Sequence, residues 1–170
     1  MIIDLANVGT TPKKIELAFD PSEISLEGEI VSLTGKAEFN GETQRVDEKT
    51  HIRGVISAEV SLACTRCLEP ISKHLEIPCH AVFVDADKED TNAEAEIADE
   101  LLDESLVPDG KIDMAEVVRE QILLATPEQV FCREDCKGLC PQCGANLNLI
   151  DCNCADDDTD PRWAALKSLK

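Results

Sequence analysis

Residues 51–62, with the sequence HIRGVISAEVSL, form the segment that decides the fold. Apolar side chains take one parity of this segment, and they are Ile52, Ile56, Ala58, Val60 and Leu62. The other parity is mostly polar, with Arg53, Ser57, Glu59 and Ser61. This alternation predicts a β-strand that buries one face and exposes the other. Residues 71–83 repeat the pattern, so the two segments are predicted to pair as a hairpin whose tip is CTRCLEP at 64–70.

Two upstream segments are predicted to extend this sheet. KIELAF at 14–19 and ISLEGEIVSLTGKAEF at 24–39 alternate more weakly between apolar and polar side chains. Asn40-Gly41 is typical of a tight turn, because both residues tolerate positive φ. We therefore predict an antiparallel sheet over residues 14–84, half-buried and curling into a small barrel.

A helix is predicted to follow the sheet and to pack against it. Asp113 and Glu116 have the spacing of a capping box, in which each side chain satisfies a backbone N–H group of the first turn. Pro127 marks the end of this helix. A terminal helix is predicted from Asp160-Pro161, where an N-cap residue precedes proline at the first helical position. The predicted fold class is α+β.

The chain is predicted to have two parts. Residues 1–127 form a β-rich, barrel-like domain that includes an acidic linker (85–104) and the packing helix (113–126). Residues 128–170 form a cysteine-rich, zinc-binding segment that ends in the terminal helix. The linker holds ten acidic residues and one lysine, a composition typical of a solvated spacer. Its alternative role is an acidic contact for a basic partner.

Charge limits the partners that the protein can bind. The chain has 35 Asp and Glu residues against 16 Lys and Arg, a net charge of −19. Binding to RNA or DNA through phosphates depends on Lys and Arg, and four Phe, one Trp and no Tyr offer few surfaces for base stacking. We therefore expect no DNA binding, little direct RNA contact and a basic protein partner. No stretch is long and apolar enough to predict a membrane span.

Nine cysteines are the second unusual feature. The first residues, MIIDLANVGTTPKK, lack the basic and apolar regions of a signal peptide, so we expect a cytoplasmic protein. Cysteines clustered in such a protein indicate metal or redox chemistry more than disulfides. Cys140-Pro-Gln-Cys143-Gly is the strongest motif, because two thiolates at this spacing grip one Zn²⁺ from a tight turn.

A tetrahedral zinc site needs a second pair of ligands, and two pairs are available. Cys152 and Cys154 are preferred, because the loop before them is long enough to fold back over the first pair. Cys132 and Cys136 are the alternative, and all six cysteines could also contribute in alternating sets. The segment has few apolar residues, so a structural zinc ion would supply folding energy that a core cannot.

Cys64 and Cys67, at the predicted hairpin tip, allow three interpretations. They are packed structural thiols, half of a metal site, or a redox couple. The redox interpretation is the weakest, because a reactive CxxC motif usually begins a helix that lowers the thiol pKa. No sequence motif links His51, His74 or His80 to a nucleophile, and there is no phosphate-binding glycine loop. We therefore predict that the protein is not an enzyme.

Several motifs in order resemble a known family: CTRCLEP at 64–70, ILLATP at 122–127, CREDCKGLCPQCGANLNL at 132–149, CNC at 152–154 and DPRWAALKSLK at 160–170. Together they resemble the YceD family of large ribosomal RNA subunit accumulation proteins. The resemblance implies a bacterial or organellar factor needed for synthesis, processing or accumulation of 23S ribosomal RNA. It also implies a partner, since members are commonly encoded beside a small zinc-ribbon protein of the large ribosomal subunit.

The expected function is thus a non-enzymatic ribosome biogenesis factor that acts through a basic ribosomal protein or a pre-ribosomal particle. Two alternatives belong to other classes of protein. One is a thiol-disulfide or redox-sensing protein that uses Cys64 and Cys67, and the other is a zinc-dependent regulatory adaptor.

Overall fold

The structure, a computed structural model, describes residues 1–26, 31–86, 104–107 and 109–154. Its strands in chain order are β1 (Ile2–Asp4), β2 (Lys13–Phe19), β3 (Val31–Val46), β4 (Lys49–Ala63), β5 (Pro70–Asp85), β6 (Glu104–Val107) and β7 (Lys111–Asp113). A 3-10 turn at Leu5–Asn7 follows β1, and the helix α1 spans Met114–Ala125.

The main sheet has five strands in the order β2-β3-β4-β5-β6. Neighbouring strands are antiparallel except β5 and β6, which are parallel. Strands β1 and β7 form a separate antiparallel pair. The predicted hairpin is present as β4 and β5, with Ile56 opposite both Phe39 of β3 and Ile77 of β5. These side chains share the buried face, as the alternation predicted.

The predicted barrel is wrong, because the sheet is open. Within the described residues, β2 pairs only with β3 and β6 only with β5, so both are edge strands. A barrel closes only when its first and last strands pair. Helix α1 covers the sheet instead: Met114, Val117, Val118 and Ile122 are buried in the same core as Phe39 and Ile56. The architecture is a mostly β, α+β fold with the helix on one face of the sheet.

The turn predicted at Asn40-Gly41 is also wrong. Both residues lie within β3, where Gly41 pairs with Gly54. The turn from β3 to β4 is made by Asp47 and Glu48, which have φ of 49° and 67°. Gly41 serves close packing, because a Cβ atom there would lie 2.6 Å from Cζ of Phe39. The sequence alone does not distinguish a glycine required for close packing against a neighbouring side chain from one required for a turn.

Helix α1 begins close to the predicted position. The Asp113 side chain accepts a hydrogen bond from the Ala115 backbone N–H at 3.0 Å, as an N-cap residue does. Glu116 does not complete a capping box in this structure, since its carboxylate pairs with Arg119 at 3.2 Å. The described residues include no helix with the length and apolar content needed to cross a bilayer.

Two predicted features fall largely outside the described residues. Of the acidic linker, only Asp85 and Ala86 at one end and Glu104 at the other are described, and Asp85 and Glu104 belong to β5 and β6. The terminal helix predicted from Asp160 lies wholly outside. The division of the chain at residue 128 stays a prediction.

Candidate metal centres

The tip of the β4–β5 hairpin holds the first pair of cysteines. Cys64 and Cys67 flank a tight turn in which the Leu68 N–H donates to the Cys64 carbonyl at 2.9 Å and the Cys64 N–H donates to the Glu69 carbonyl at 2.8 Å. Leu68 has a φ of 62°, which reverses the chain just after Cys67. Cys64 and Cys67 are both buried, although they lie at the end of the hairpin.

The C-terminal segment, residues 128–154 in the structure, wraps around this tip. The Thr65 N–H donates to the Val130 carbonyl at 2.8 Å, and the Leu139 N–H donates to the Arg66 carbonyl at 3.0 Å. Gly138 has a φ of 77° where it passes Arg66, and a Cβ atom there would lie 3.0 Å from the Arg66 carbonyl oxygen. Backbone contacts thus bring the segment against the hairpin.

This arrangement forms one cluster of four cysteines, which we name the hairpin cluster: Cys64, Cys67, Cys132 and Cys136. The four sulfur atoms lie within 4.8 Å of one another. The Sγ–Sγ distance is 3.9 Å between Cys64 and Cys136 and 3.6 Å between Cys67 and Cys132. The alternative ligand pair of the sequence analysis therefore lies beside the hairpin cysteines.

A second cluster, the C-terminal cluster, consists of Cys140, Cys143, Cys152 and Cys154. Its four sulfur atoms also lie within 4.8 Å of one another. The Gly144 N–H donates to the Cys140 carbonyl at 2.9 Å, and Gly144 has a φ of 71°, so glycine permits the turn just after Cys143. The preferred ligand set of the sequence analysis is thus brought together in space.

Both clusters have a donor set that suits a soft or borderline divalent ion. Each offers four thiols and no histidine or carboxylate, which is the composition of a closed structural zinc site. All nine cysteines are unpaired, so no disulfide competes for these sulfur atoms. Either cluster could hold a metal ion.

Backbone N–H groups stabilise Cys64 in the hairpin cluster and Cys140 in the C-terminal cluster as thiolates. Burial raises the pKa of Cys64, but N–H groups of Cys132, Cys67 and Arg66 outweigh it and bring the pKa to about 6. The N–H groups of Cys143 and Gln142 lower the pKa of Cys140 to about 6 in the same way.

The thiols of Cys67 and Cys154 resist the loss of a proton. The N–H of Glu69 lowers the pKa of Cys67, but burial and the adjacent sulfurs of its cluster raise it to about 12. Adjacent sulfurs, Cys143 first, also raise the pKa of Cys154 to about 12. Four thiolates at this spacing repel one another, and a bound cation would remove that repulsion.

The ninth cysteine and the histidines lie elsewhere. Cys79 is buried in β5 within the sheet core, and burial raises its pKa. His74 Nδ1 lies 2.9 Å from a Glu59 carboxylate oxygen, and His51 stacks on His80 with ring centroids 5.9 Å apart. Cys79 is a core residue, as a buried cysteine usually is.

The comparisons with known proteins agree with the sequence resemblance. Residues 52–170 match the model of the family described as large ribosomal RNA subunit accumulation protein YceD. The chain belongs to the YceD family. The matched region of this YceD chain includes most of β4, all of β5, β6, β7 and α1, and all nine cysteines, so both clusters fall within it.

Relatives of this YceD chain occur in bacteria and plants. An uncharacterized protein of Mycobacterium tuberculosis is 27% identical over 175 residues, which cover 99% of the chain and 81% of the relative. YlbN of Bacillus subtilis is 36% identical over 115 residues, 67% of the chain and 62% of that protein. The Arabidopsis thaliana protein named large ribosomal RNA subunit accumulation protein YCED homolog 1, chloroplastic, is 26% identical over 148 residues, covering 74% of the chain and 46% of that protein. No solved structure matches the chain.

Proposed function

We propose that the protein is a non-enzymatic, cytoplasmic ribosome biogenesis factor that promotes accumulation of 23S ribosomal RNA. The observation that carries this proposal is the match of residues 52–170 to the YceD family, whose description names large-subunit ribosomal RNA accumulation. The Arabidopsis thaliana and Zea mays relatives are also named large ribosomal RNA subunit accumulation proteins, which supports the proposal.

Deleting the gene tests this function directly. The ratio of 23S to 16S ribosomal RNA should fall in the deletion strain, and a plasmid copy of the wild-type gene should restore it. An unchanged ratio under conditions where the wild type expresses the protein would contradict the proposal.

The partner in this proposal is a basic protein of the large subunit or a pre-ribosomal particle. The outer face of the sheet carries exposed carboxylates on β2, β3, β4 and β5, and they are Glu16, Glu38, Glu42, Glu59 and Glu76. The same face also carries exposed Lys14 and Arg53, which lie opposite Glu42 on the neighbouring strands. The net charge of −19 favours long-range attraction of a basic protein and opposes contact with bare phosphates.

Affinity purification of the native protein at low and at high salt tests the partner. We expect a basic ribosomal protein to be recovered at low salt, with or without ribonuclease, and to be lost at high salt because charge attraction is screened. Recovery of RNA without any ribosomal protein, or binding that salt does not change, would contradict it.

In this proposal a structural zinc ion in the C-terminal cluster holds the turns around Cys140 and Cys152. The cluster offers four thiols in a stretch that has neither a helix nor a named strand among the described residues 126–154. A metal ion would supply the folding energy that so small a segment lacks.

A redox function for Cys64 and Cys67 is the alternative, and the lowered pKa of Cys64 favours it. Burial opposes it, because Cys64 is 0% exposed and Cys67 4% exposed. A thiol-disulfide couple must be reached by the sulfur of its substrate. We therefore prefer the non-enzymatic function, and a zinc-dependent regulatory adaptor would differ from it in the partner recovered.

A further inference from the structure

We infer that the hairpin cluster is a second zinc site, which fastens the C-terminal segment to the β4–β5 hairpin. The inference goes beyond the proposed function, which uses only the C-terminal cluster. Two ligands, Cys64 and Cys67, come from the sheet, and the other two, Cys132 and Cys136, come from the segment beyond α1.

The spacing of the sulfur atoms fits a metal ion and not a disulfide. In a tetrahedral site with Zn–S bonds of about 2.3 Å, the ligand sulfurs lie about 3.8 Å apart. The distances of 3.9 Å between Cys64 and Cys136 and 3.6 Å between Cys67 and Cys132 lie on either side of this value. A disulfide would require about 2.05 Å.

Hydrogen-bond donors around the cluster point at the sulfur atoms. The Cys132 backbone N–H donates to Cys64 Sγ at 3.4 Å, and Asn148 Nδ2 donates to Cys136 Sγ at 3.3 Å. Asn148 is itself fixed, because its Oδ1 accepts from the Lys137 N–H at 2.8 Å and its Nδ2 also donates to Asn146 Oδ1 at 2.9 Å. Such supporting donors orient thiolate ligands and reduce the repulsion between them.

Arg66 lies between the two hairpin ligands in the sequence and holds the other two in place. Its Nη1 donates to the carbonyl oxygens of Glu134 at 3.2 Å and Cys136 at 3.0 Å, and its guanidinium lies 4.2 Å from the centre of the Phe131 ring. Zn²⁺ with four thiolates has two net negative charges, which the guanidinium partly offsets. We assign Arg66 as a positioning residue for this site.

The surroundings of the cluster also indicate a closed structural site. Three of its four cysteines are buried and Cys132 is half-buried, and they pack with Ile71 and Leu139 in a small cluster separate from the main core. In the C-terminal cluster, by contrast, Cys143 and Cys154 are exposed. A zinc ion in the hairpin cluster should therefore leave more slowly than one in the C-terminal cluster.

Counting zinc by native mass spectrometry tests the inference. The full chain, expressed with zinc and purified without chelator, should hold two ions. C67S/C132S and C143S/C154S should each hold one, and the variant with all four substitutions should hold none.

One ion in the wild type with none left in C143S/C154S would overturn the inference. So would two ions that persist in C67S/C132S. If C67S/C132S does not fold, the zinc content of C143S/C154S decides, because only the hairpin cluster keeps all four thiols in that variant.

Release of zinc to a chromogenic chelator tests the role of Arg66. Wild-type protein should release its two ions in a fast and a slow phase of equal amplitude, with the slow phase absent in C67S/C132S. Arg66→Met should speed the slow phase by about tenfold or more and leave the fast phase unchanged. The matched control is Arg133→Met, since Arg133 adjoins a ligand but faces Asp135. An unchanged slow phase in Arg66→Met, or equal effects in both variants, would overturn the assignment of Arg66.

Discussion

Gly54 shows how one missing side chain shapes the sheet core. It lies in β4 directly opposite Gly41 of β3, on the buried face. The ring of Phe39 covers both glycines, because a Cβ atom built on Gly54 would lie 2.8 Å from Phe39 Cζ and 2.5 Å from the Asn40 carbonyl oxygen. This pair therefore makes room for a phenylalanine ring on the inner face.

We predict that Gly54→Ala lowers the free energy of unfolding by about 1–3 kcal/mol, because the added methyl group overpacks the site. Gly35→Ala is the control in β3, since its Cβ atom would meet only Glu59 Cβ at 3.8 Å. That variant should change stability by less than about 0.5 kcal/mol. Equal effects of the two substitutions in urea unfolding would contradict the packing described for Phe39.

His51 makes stability depend on pH. Burial lowers its pKa below 6.5, and the charges of Arg53, His80 and Lys49 lower it further, while Glu104 opposes them. The unfolded chain then binds a proton more readily than the folded one. The contribution of His51 to stability is fully present above pH 6.5 and is lost as the pH falls through its folded-state pKa.

We therefore predict that wild-type protein loses more stability than His51→Gln between pH 7.5 and 5.5. Carboxylates that do not interact with His51 affect both proteins alike, so the difference reports His51 together with its interactions with His80 and Glu104. An NMR titration of the His51 ring should give a midpoint below 6.5. A midpoint at or above 6.5 would contradict the environment described for this side chain.

Helix α1 depends on the cap at its N-terminus. Asp113 accepts the Ala115 N–H, and its carboxylate lies 3.7 Å from the N-terminal amino group of Met1. Both groups of that ion pair are exposed, so its contribution is small. The hydrogen bond to Ala115 is the stronger reason for Asp113 at this position.

We predict that Asp113→Ala lowers the free energy of unfolding by about 1 kcal/mol. Asp113→Asn keeps an oxygen that can accept the same hydrogen bond, so its stability should stay within about 0.5 kcal/mol of wild type. Thermal unfolding followed by circular dichroism measures both. If the Asn variant is as unstable as the Ala variant, the charge of Asp113 matters more than its capping hydrogen bond.

At the scale of elements, the sequence predicts strands and helices best where a pattern of neighbouring residues defines them. Strands β4 and β5 follow directly from alternation, and α1 follows from Asp113 and the apolar face after it. The parallel pairing of β6 with β5 has no comparable signal, because only four residues take part. The open sheet has no signal for a related reason: alternation shows which face of a strand is buried, but not which strands pair and which become edges.

The two cysteine clusters also differ in whether they could be predicted from local sequence. Cys140, Cys143, Cys152 and Cys154 lie within a short stretch, so their proximity can be predicted from loop length. The proximity of Cys64 and Cys67 to Cys132 and Cys136 could not be predicted from the sequence. Backbone hydrogen bonds from Thr65 to Val130 and from Leu139 to Arg66 bring them together, and backbone contacts leave no side-chain pattern in a sequence.

At the scale of the whole molecule, the sheet and the C-terminal segment are stabilised by different forces. The sheet and α1 share a core of more than twenty buried residues. The segment packs mainly through a few cysteines with Ile71 and Leu139, and its Val130 also packs against the main core. The hydrophobic effect can stabilise the sheet and α1 without a metal ion. The C-terminal segment buries too few apolar residues to be stabilised in this way.

We predict that removing zinc with a chelator under reducing conditions unfolds the C-terminal segment and leaves the sheet folded. In hydrogen exchange, backbone amides of residues 130–150 should lose their protection, while those of β4 should keep it. Protection that persists in the segment after metal content has fallen to zero would show that zinc does not hold it.

X-ray absorption at the zinc K-edge of the purified wild-type protein tests the central claim most directly, namely that eight cysteines form two closed tetrathiolate centres. All bound zinc should have four sulfur neighbours at about 2.3 Å. A first shell that includes nitrogen or oxygen in a substantial fraction of the zinc would contradict the claim.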